Sequence, residues 1–192
     1  MSVRELAPAF TLKEAREAGF SKNQVYALLD RDEIERVGRG VYMRPDVIRP
    51  AFTALAAAST LRGDATLCLT SALVHHELSD VIPFASDIAL PRGVRHPAGL
   101  ANVSWHSFDP RTFWIGRERV EAAEGVSVGI YSAERAIVDC FRLMHQEGSD
   151  VAYGALRRWL RRRTNTSATL LKVAGSFPKA LPQIRQALDV LL

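Results

Sequence analysis

The chain has 192 residues, of which 47% are hydrophobic, and a formal net charge of +4. This is enough for one large domain or two small ones with a real core. No run approaches the ~20 apolar residues of a membrane span. The first residues also lack the hydrophobic segment of a signal peptide, so we expect a soluble cytoplasmic protein without membrane contact.

The two cysteines give the same indication. Cys68 and Cys140 stand in the apolar runs "TLCLTSAL" and "IVDCFRLM", without the spacing of a metal site or of a disulfide framework. They predict buried free thiols, which suit a reducing compartment.

Positive charge is unevenly distributed along the chain. Residues 1–49 carry 9 basic and 8 acidic side chains, residues 50–131 carry 6 and 8, and residues 132–192 carry 10 and 5. The N-terminal segment is therefore not strongly basic as a whole. Any contact that it makes with a polyanion depends on locally placed positive charge.

Two short helices are predicted near the N-terminus. Thr11, with Glu14 three residues later, is a capping box, and Gly19 ends this first helix as a C-cap residue does. Ser21 then caps a second helix, whose predicted core side chains are Val25, Leu28 and Leu29. Two helices joined by a glycine-containing turn predict a helix-turn-helix.

A hairpin follows directly. "IERV-GRG-VYM" alternates around Gly38, Arg39 and Gly40, so the segment predicts a winged helix-turn-helix. Its second helix would enter the major groove of DNA, and Arg39 would reach the backbone or the minor groove. The predicted DNA-binding residues are Ser21, Lys22, Asn23, Gln24, Tyr26, Arg31 and Arg39. Asp30 on the same side would repel phosphate, so we expect it to lie near the exit of the groove or to pair with Arg31 or Lys22. The alternative is a winged helix that makes only protein contacts.

These residues resemble a known family. "FTLKEAREAGFSKNQVYALLDRDEIERVGRGVYMRPD" is similar to the N-terminal domain of AbiEi-type antitoxins, which are transcriptional regulators of bacterial toxin–antitoxin systems. Downstream, "SAERAIVDCFRLM" and the stretch from "ALRRWLRRR" to the last helix resemble later parts of the family. The resemblance implies autorepression of the operon and protection against a nucleotidyltransferase-like toxin.

The remaining residues predict an α+β domain. Pro45 and Pro50 mark a boundary, which gives a winged helix-turn-helix domain at residues 1–48 and an α+β antitoxin domain at residues 51–192. Thr70 is expected to cap a helix that includes "SALVHHELSD". Four strands are predicted in "DIALP", "NVSWHSF", "RERVEA" and "VSVGIYS", and about four helices follow from Ser132.

The C-terminal helices contain two charged features. Arg135 and Asp139 stand four residues apart and predict a structural salt bridge, with a role in positioning the toxin or its products as the alternative. In "RRWLRRR", the arginines predicted to form a positive face are Arg157, Arg158, Arg161 and Arg162. That face is an antitoxin surface, a second nucleic-acid contact, or simply solvated.

No catalytic constellation stands out, and we predict no enzyme, metal or cofactor. His75 to Glu77 lack the spacing of a zinc helix. A DNA-targeted nuclease with acidic residues on short strands, such as Asp87 and Glu121, is one alternative function. A stand-alone winged-helix transcription factor is another.

The expected partners are operator DNA and a cognate toxin. One winged helix of about 45 residues buries little surface on DNA, so we expect repeated half-sites and paired binding. The pair can form on DNA from a monomer in solution.

Overall fold

The N-terminal part of the chain forms two short helices against a three-stranded sheet. The computed structural model describes residues 2–45 and 47–192. The elements in this part are β1 (Ala9–Thr11), α1 (Leu12–Glu17), α2 (Lys22–Asp30), β2 (Glu35–Gly38) and β3 (Val41–Met43). The strands are antiparallel in the order β1-β3-β2. A 3-10 turn at Val3–Glu5 precedes β1.

Both predicted helix starts are confirmed. The Thr11 hydroxyl accepts from the Glu14 backbone N–H at 3.2 Å, and the Glu14 carboxylate accepts from the Thr11 N–H at 2.6 Å. Ser21 and Gln24 form the same reciprocal pair at the start of α2. Gly19 between the helices has a φ of +89°, which favours glycine.

Strand β3 belongs to two hydrophobic cores. The smaller core lies under the two helices and consists of Leu6, Phe10, Ala15, Phe20, Val25, Leu28, Ile34 and Tyr42. The neighbours of Tyr42 on β3, Val41 and Met43, belong to the larger core of the remaining chain. Successive strand residues point to opposite faces of a sheet, so β3 is buried on both of its faces.

The second part of the chain surrounds a five-stranded mixed sheet. Its elements are α3 (Thr53–Leu61), β4 (Thr66–Leu67), α4 (Leu69–His75), β5 (Ser86–Pro91), β6 (Val103–Phe108), β7 (Arg117–Ala123), β8 (Val126–Tyr131), α5 (Ala133–Arg142), α6 (Met144–Glu147), α7 (Ser149–Leu160), α8 (Ser167–Ala174) and α9 (Leu181–Leu191). The strand order is β6-β5-β4-β8-β7. The predicted α+β fold class and four of these strands are confirmed. Strand β4 was not predicted, because it is only two residues long.

Helix α3 joins the two parts. It contacts β1, β2 and β3 of the N-terminal sheet and also β4, β5 and β8 of the larger sheet. Its residues Leu55, Ala56, Ala57 and Ala58 are all buried. The three alanines allow other elements to approach the helix closely.

The prediction for α4 was wrong at both ends. Cys68, not Thr70, is the N-cap residue, and the helix ends at His75. Thr70 lies inside the helix, where its hydroxyl donates to the Glu147 carboxylate at 2.9 Å. At the other end, Arg162 donates to the carbonyl oxygen of His76 at 2.6 Å. Both contacts come from residues more than seventy positions away, so no local pattern could indicate them.

The Arg135–Asp139 pair is the structural salt bridge that the spacing predicts. Both side chains are fully buried, and Arg135 Nε lies 2.9 Å from Asp139 Oδ2. Arg142 binds the other carboxylate oxygen at 2.9 Å. Burial raises the pKa of the Asp139 carboxyl, and the two guanidiniums act in the opposite direction. Both cysteines are buried and free, as predicted.

We expect Asp139→Asn to lower the free energy of unfolding by about 3–5 kcal/mol, because it leaves the buried Arg135 guanidinium without its counter-charge. Urea denaturation followed by circular dichroism measures this change. Asp109→Asn is the matched control, since it removes a carboxylate that pairs with Arg111 at the surface and should have a much smaller effect. Equal effects of the two substitutions would contradict the structural role of Asp139.

Candidate nucleic-acid interface

The start of α2 presents a polar exposed face. Val25 and Leu28 are buried beneath the helix, whereas Ser21, Lys22, Asn23 and Gln24 are exposed. Tyr26 is 41% exposed, and the Lys22 ammonium lies 5.4 Å from the centre of its ring. Below this face, burial raises the pKa of the Tyr42 phenol, with a smaller effect from the neighbouring Tyr26.

The side chains of Asn23 and Gln24 differ in their hydrogen bonding. The side-chain oxygen of Gln24 accepts from the Ser21 backbone N–H at 2.8 Å, so the amide is turned back toward the helix start. Asn23 makes no side-chain hydrogen bond with the described residues. A bidentate contact with adenine needs both an acceptor and a donor. Asn23 offers both without disturbing the cap, whereas Gln24 has to share its oxygen.

The end of α2 offers less free positive charge than its sequence predicts. Arg31 lies just after the helix and pairs with Glu33 at 2.8 Å. Asp30 is exposed, and neither of the partners expected for it, Arg31 and Lys22, forms a salt bridge with it in the described residues. Positive charge on this element therefore comes from Lys22 at its beginning.

The hairpin tip is held by the second part of the chain. Arg39 is exposed between Gly38 and Gly40, and its backbone N–H donates to the carbonyl oxygen of Gly99 at 3.2 Å. Gly38 forms an isolated bridge with Leu100. The side chain of Arg39 can thus reach outward while its backbone is fixed. The sequence gives no sign of this long-range contact.

The arginine-rich segment does not form one continuous helical face. Helix α7 ends at Leu160, so Arg161 and Arg162 lie beyond it. Arg158 binds Asp80 and thereby lowers the pKa of that carboxyl, and Arg162 binds the end of α4. Two of the four predicted arginines therefore fasten this segment to residues 76–80. Arg157 and Arg161 are exposed.

The acidic residues named for a nuclease do not come together. Asp87 lies on β5 and Glu121 on β7, with β4 and β8 between them, which puts them at least about 14 Å apart at the usual strand spacing. Asp87 accepts from the Ser71 hydroxyl at 3.0 Å and lies 3.1 Å from His106 Nε2. The carboxylate thus separates the serine from the imidazole, unlike the order of a nucleophilic triad. Within residues 2–45 and 47–192, no group of three His, Cys, Asp or Glu residues is placed to hold a metal ion.

The histidine pair is part of the fold. His76 Nε2 lies 2.8 Å from the carbonyl oxygen of Tyr131. Burial lowers the pKa of His75, with contributions from His76 and Arg49. His75 and Phe52 line a cleft of about 590 Å³ beside the exposed Phe84.

The described helices include none with the length and apolar character required to cross a membrane.

Comparisons with known proteins give information on the fold and on the N-terminal residues. The chain is similar in fold to the crystal structure of the RV2827C protein from Mycobacterium tuberculosis, with a TM-score of 0.64 and 17% identity over 97% of this chain and 73% of that chain. At this identity the likeness shows the fold alone. No curated protein matches the chain. Residues 1–45 match the family described as "Transcriptional regulator, AbiEi antitoxin". The resemblance predicted from Thr11 to Tyr42 is thereby confirmed: over residues 1–45 the chain matches the AbiEi antitoxin family of transcriptional regulators.

Proposed function

We propose that this chain is the antitoxin of a bacterial toxin–antitoxin system and represses its own operon. Residues 1–48 bind promoter DNA as a winged helix-turn-helix domain. Residues 51–192 counteract a nucleotidyltransferase-like toxin. The family match of residues 1–45 supports the coarser role, an antitoxin and DNA-binding regulator. The observation that carries the DNA-binding part is the exposed polar start of α2 above a capped and fully packed module.

The geometry supports a division of labour on DNA. Asn23 stands at the second position of α2, within the first turn that enters a major groove. Lys22 and Arg39 supply the phosphate contacts on either side. A single module of this size buries little DNA surface. Two copies on repeated half-sites, assembled on the operator from monomers, would give the required affinity.

The first experiment is a salt titration of binding to the chain's own upstream promoter, beside a scrambled duplex of equal length. A sequence-specific repressor binds the promoter more tightly and shows a steep salt dependence on both duplexes. Equal weak binding to the two duplexes would overturn the proposal and leave the winged helix as a protein-docking module. A nucleotidyltransferase gene next to the gene of this chain would favour an antitoxin. The absence of such a gene would favour a stand-alone transcription factor.

Asn23→Ala should weaken promoter binding by about 1–3 kcal/mol, or roughly 5- to 150-fold, while binding to the scrambled duplex hardly changes. The reason is that a base contact contributes only where the correct base is present. Fluorescence anisotropy at fixed salt gives both dissociation constants. Gln186→Ala, an exposed amide on α9, is the control and should leave both unchanged. If Asn23→Ala keeps the wild-type preference for the promoter over the scrambled duplex, α2 does not read the bases.

Arg39→Gln should weaken binding to both duplexes alike and lower the slope of log K against log salt by about 0.9, the value for one lost phosphate contact. The salt titration on the promoter and the scrambled duplex measures this slope. Arg185→Gln removes one positive charge from the exposed face of α9 and should leave the slope in place. If Arg39→Gln behaves like Arg185→Gln, the hairpin tip does not contact DNA.

The exposed pair Arg157 and Arg161 is our proposed toxin-directed surface. The double substitution Arg157→Gln/Arg161→Gln should abolish rescue of growth when the neighbouring toxin is co-expressed, with promoter binding and melting temperature unchanged. Arg158→Gln is the informative comparison, because Arg158 is bound to Asp80; we expect it to retain rescue. Full rescue by the double variant would remove this surface from the proposal.

A further inference from the structure

The loop of residues 92–102 lies against the hairpin tip. It connects β5 to its parallel neighbour β6 and therefore runs back along the length of the strands. Near its end, Gly99 accepts from the backbone N–H of Arg39 at 3.2 Å, and Leu100 bridges to Gly38. The tip and the loop are thus joined by backbone hydrogen bonding as well as by packing.

Two glycines make this contact close. A Cβ atom on Gly99 would lie 2.9 Å from Cβ of Arg39, and a Cβ atom on Gly38 would overlap the Leu100 side chain. Gly99 also has a φ of +80°, which few other residues adopt without strain. The position of the loop relative to Arg39 is therefore fixed.

The loop carries positive charge only. Residues 92–102 contain Arg92, Arg95 and His96 and no Asp or Glu. Arg92 and Arg95 are exposed, and no carboxylate of the described residues forms a salt bridge with either of them. Arg62, at the end of α3, donates to the carbonyl oxygen of Arg95 at 3.4 Å and adds a third cation to the same stretch.

The spacing between Arg95 and the hairpin tip is compatible with contacts to phosphates of one DNA duplex. Arg95 is four residues from Gly99, so their Cα atoms are at most about 14 Å apart. Charges on one DNA strand recur every ~3.4 Å along the helix axis. Arg39 and Arg95 can therefore contact phosphates of the same duplex a few nucleotides apart.

We propose that the wing of this protein is composite: the hairpin tip and the loop of residues 92–102 together bind the phosphate backbone of duplex DNA, with Arg95 as the principal contact of the loop. The inference rests on the proposed function, because it extends the DNA interface from the N-terminal module to the larger body. Direct contact with the tip that carries Arg39 is what favours DNA over an acidic protein as the occupant.

The test compares full-length Arg95→Gln, Arg39→Gln, the double variant and Arg185→Gln in salt titrations on the promoter and on the scrambled duplex. Each of the two single substitutions should lower the salt slope by about 0.9 on both duplexes, and the double variant by about 1.8. The ratio of the two affinities should stay unchanged, because phosphate contacts carry no sequence information. Melting temperatures confirm that the variants are folded. If Arg95→Gln does not fold, Arg92→Gln is used in its place.

The outcomes separate this inference from the proposed function. If the wild-type chain prefers the promoter and Arg39→Gln lowers the slope while Arg95→Gln does not, the composite wing is overturned and the repressor stands. An equal loss in Arg185→Gln would also overturn it, since the effect would then be one of net charge. Equal weak binding of the wild-type chain to both duplexes would remove the proposed function and this inference together.

Discussion

A fully buried guanidinium holds the larger part of this molecule together. Besides its bond to Asp139, Arg135 donates to the carbonyl oxygens of Thr112 and Ile115 at 2.7 and 2.6 Å. Its carbon Cζ lies 4.2 Å from the ring centre of Tyr131 on β8 and 4.5 Å from that of Phe177, between α8 and α9. One side chain on α5 thus links the sheet, the turn before β7 and the C-terminal helices.

Taking a charge out of water costs several kcal/mol, so the Arg135 guanidinium is stable in the core only when its hydrogen-bond and charge partners are in place. One nitrogen, Nη2, has no hydrogen-bond partner among the described residues, and the aromatic rings beside it compensate in part. Gly116 completes the arrangement, because a Cβ atom there would lie 2.7 Å from Cβ of Arg135. The network therefore requires that the turn, the sheet and the helices assemble together.

What could be predicted from the sequence depends on how local its cause is. The capping box at Thr11, the helix cap at Ser21, the pair Arg135–Asp139 and the four longer strands of the larger sheet arise from neighbours within four residues, and all of these were predicted. The partners of Arg158 and Arg162 lie 78 and 86 residues away, and Gly99, which supports the hairpin tip, lies 60 residues from Arg39. Nothing in a local pattern reports such contacts, so the arginine segment was taken for a single helical face. Similarly, the sequence could name Asn23 and Gln24 as equivalent readers, but only the three-dimensional cap distinguishes them.

The position of β3 between two cores has a consequence for the lifetime of the chain. The strand packs Tyr42 on one side and Val41 and Met43 on the other, so the small helical module cannot open without exposing apolar surface of the larger body. Local opening then approaches the cost of unfolding the whole chain. A protease that acts on opened segments would then reach β3 only when the larger body also opens. A ligand that binds only the folded module would slow degradation of all 192 residues.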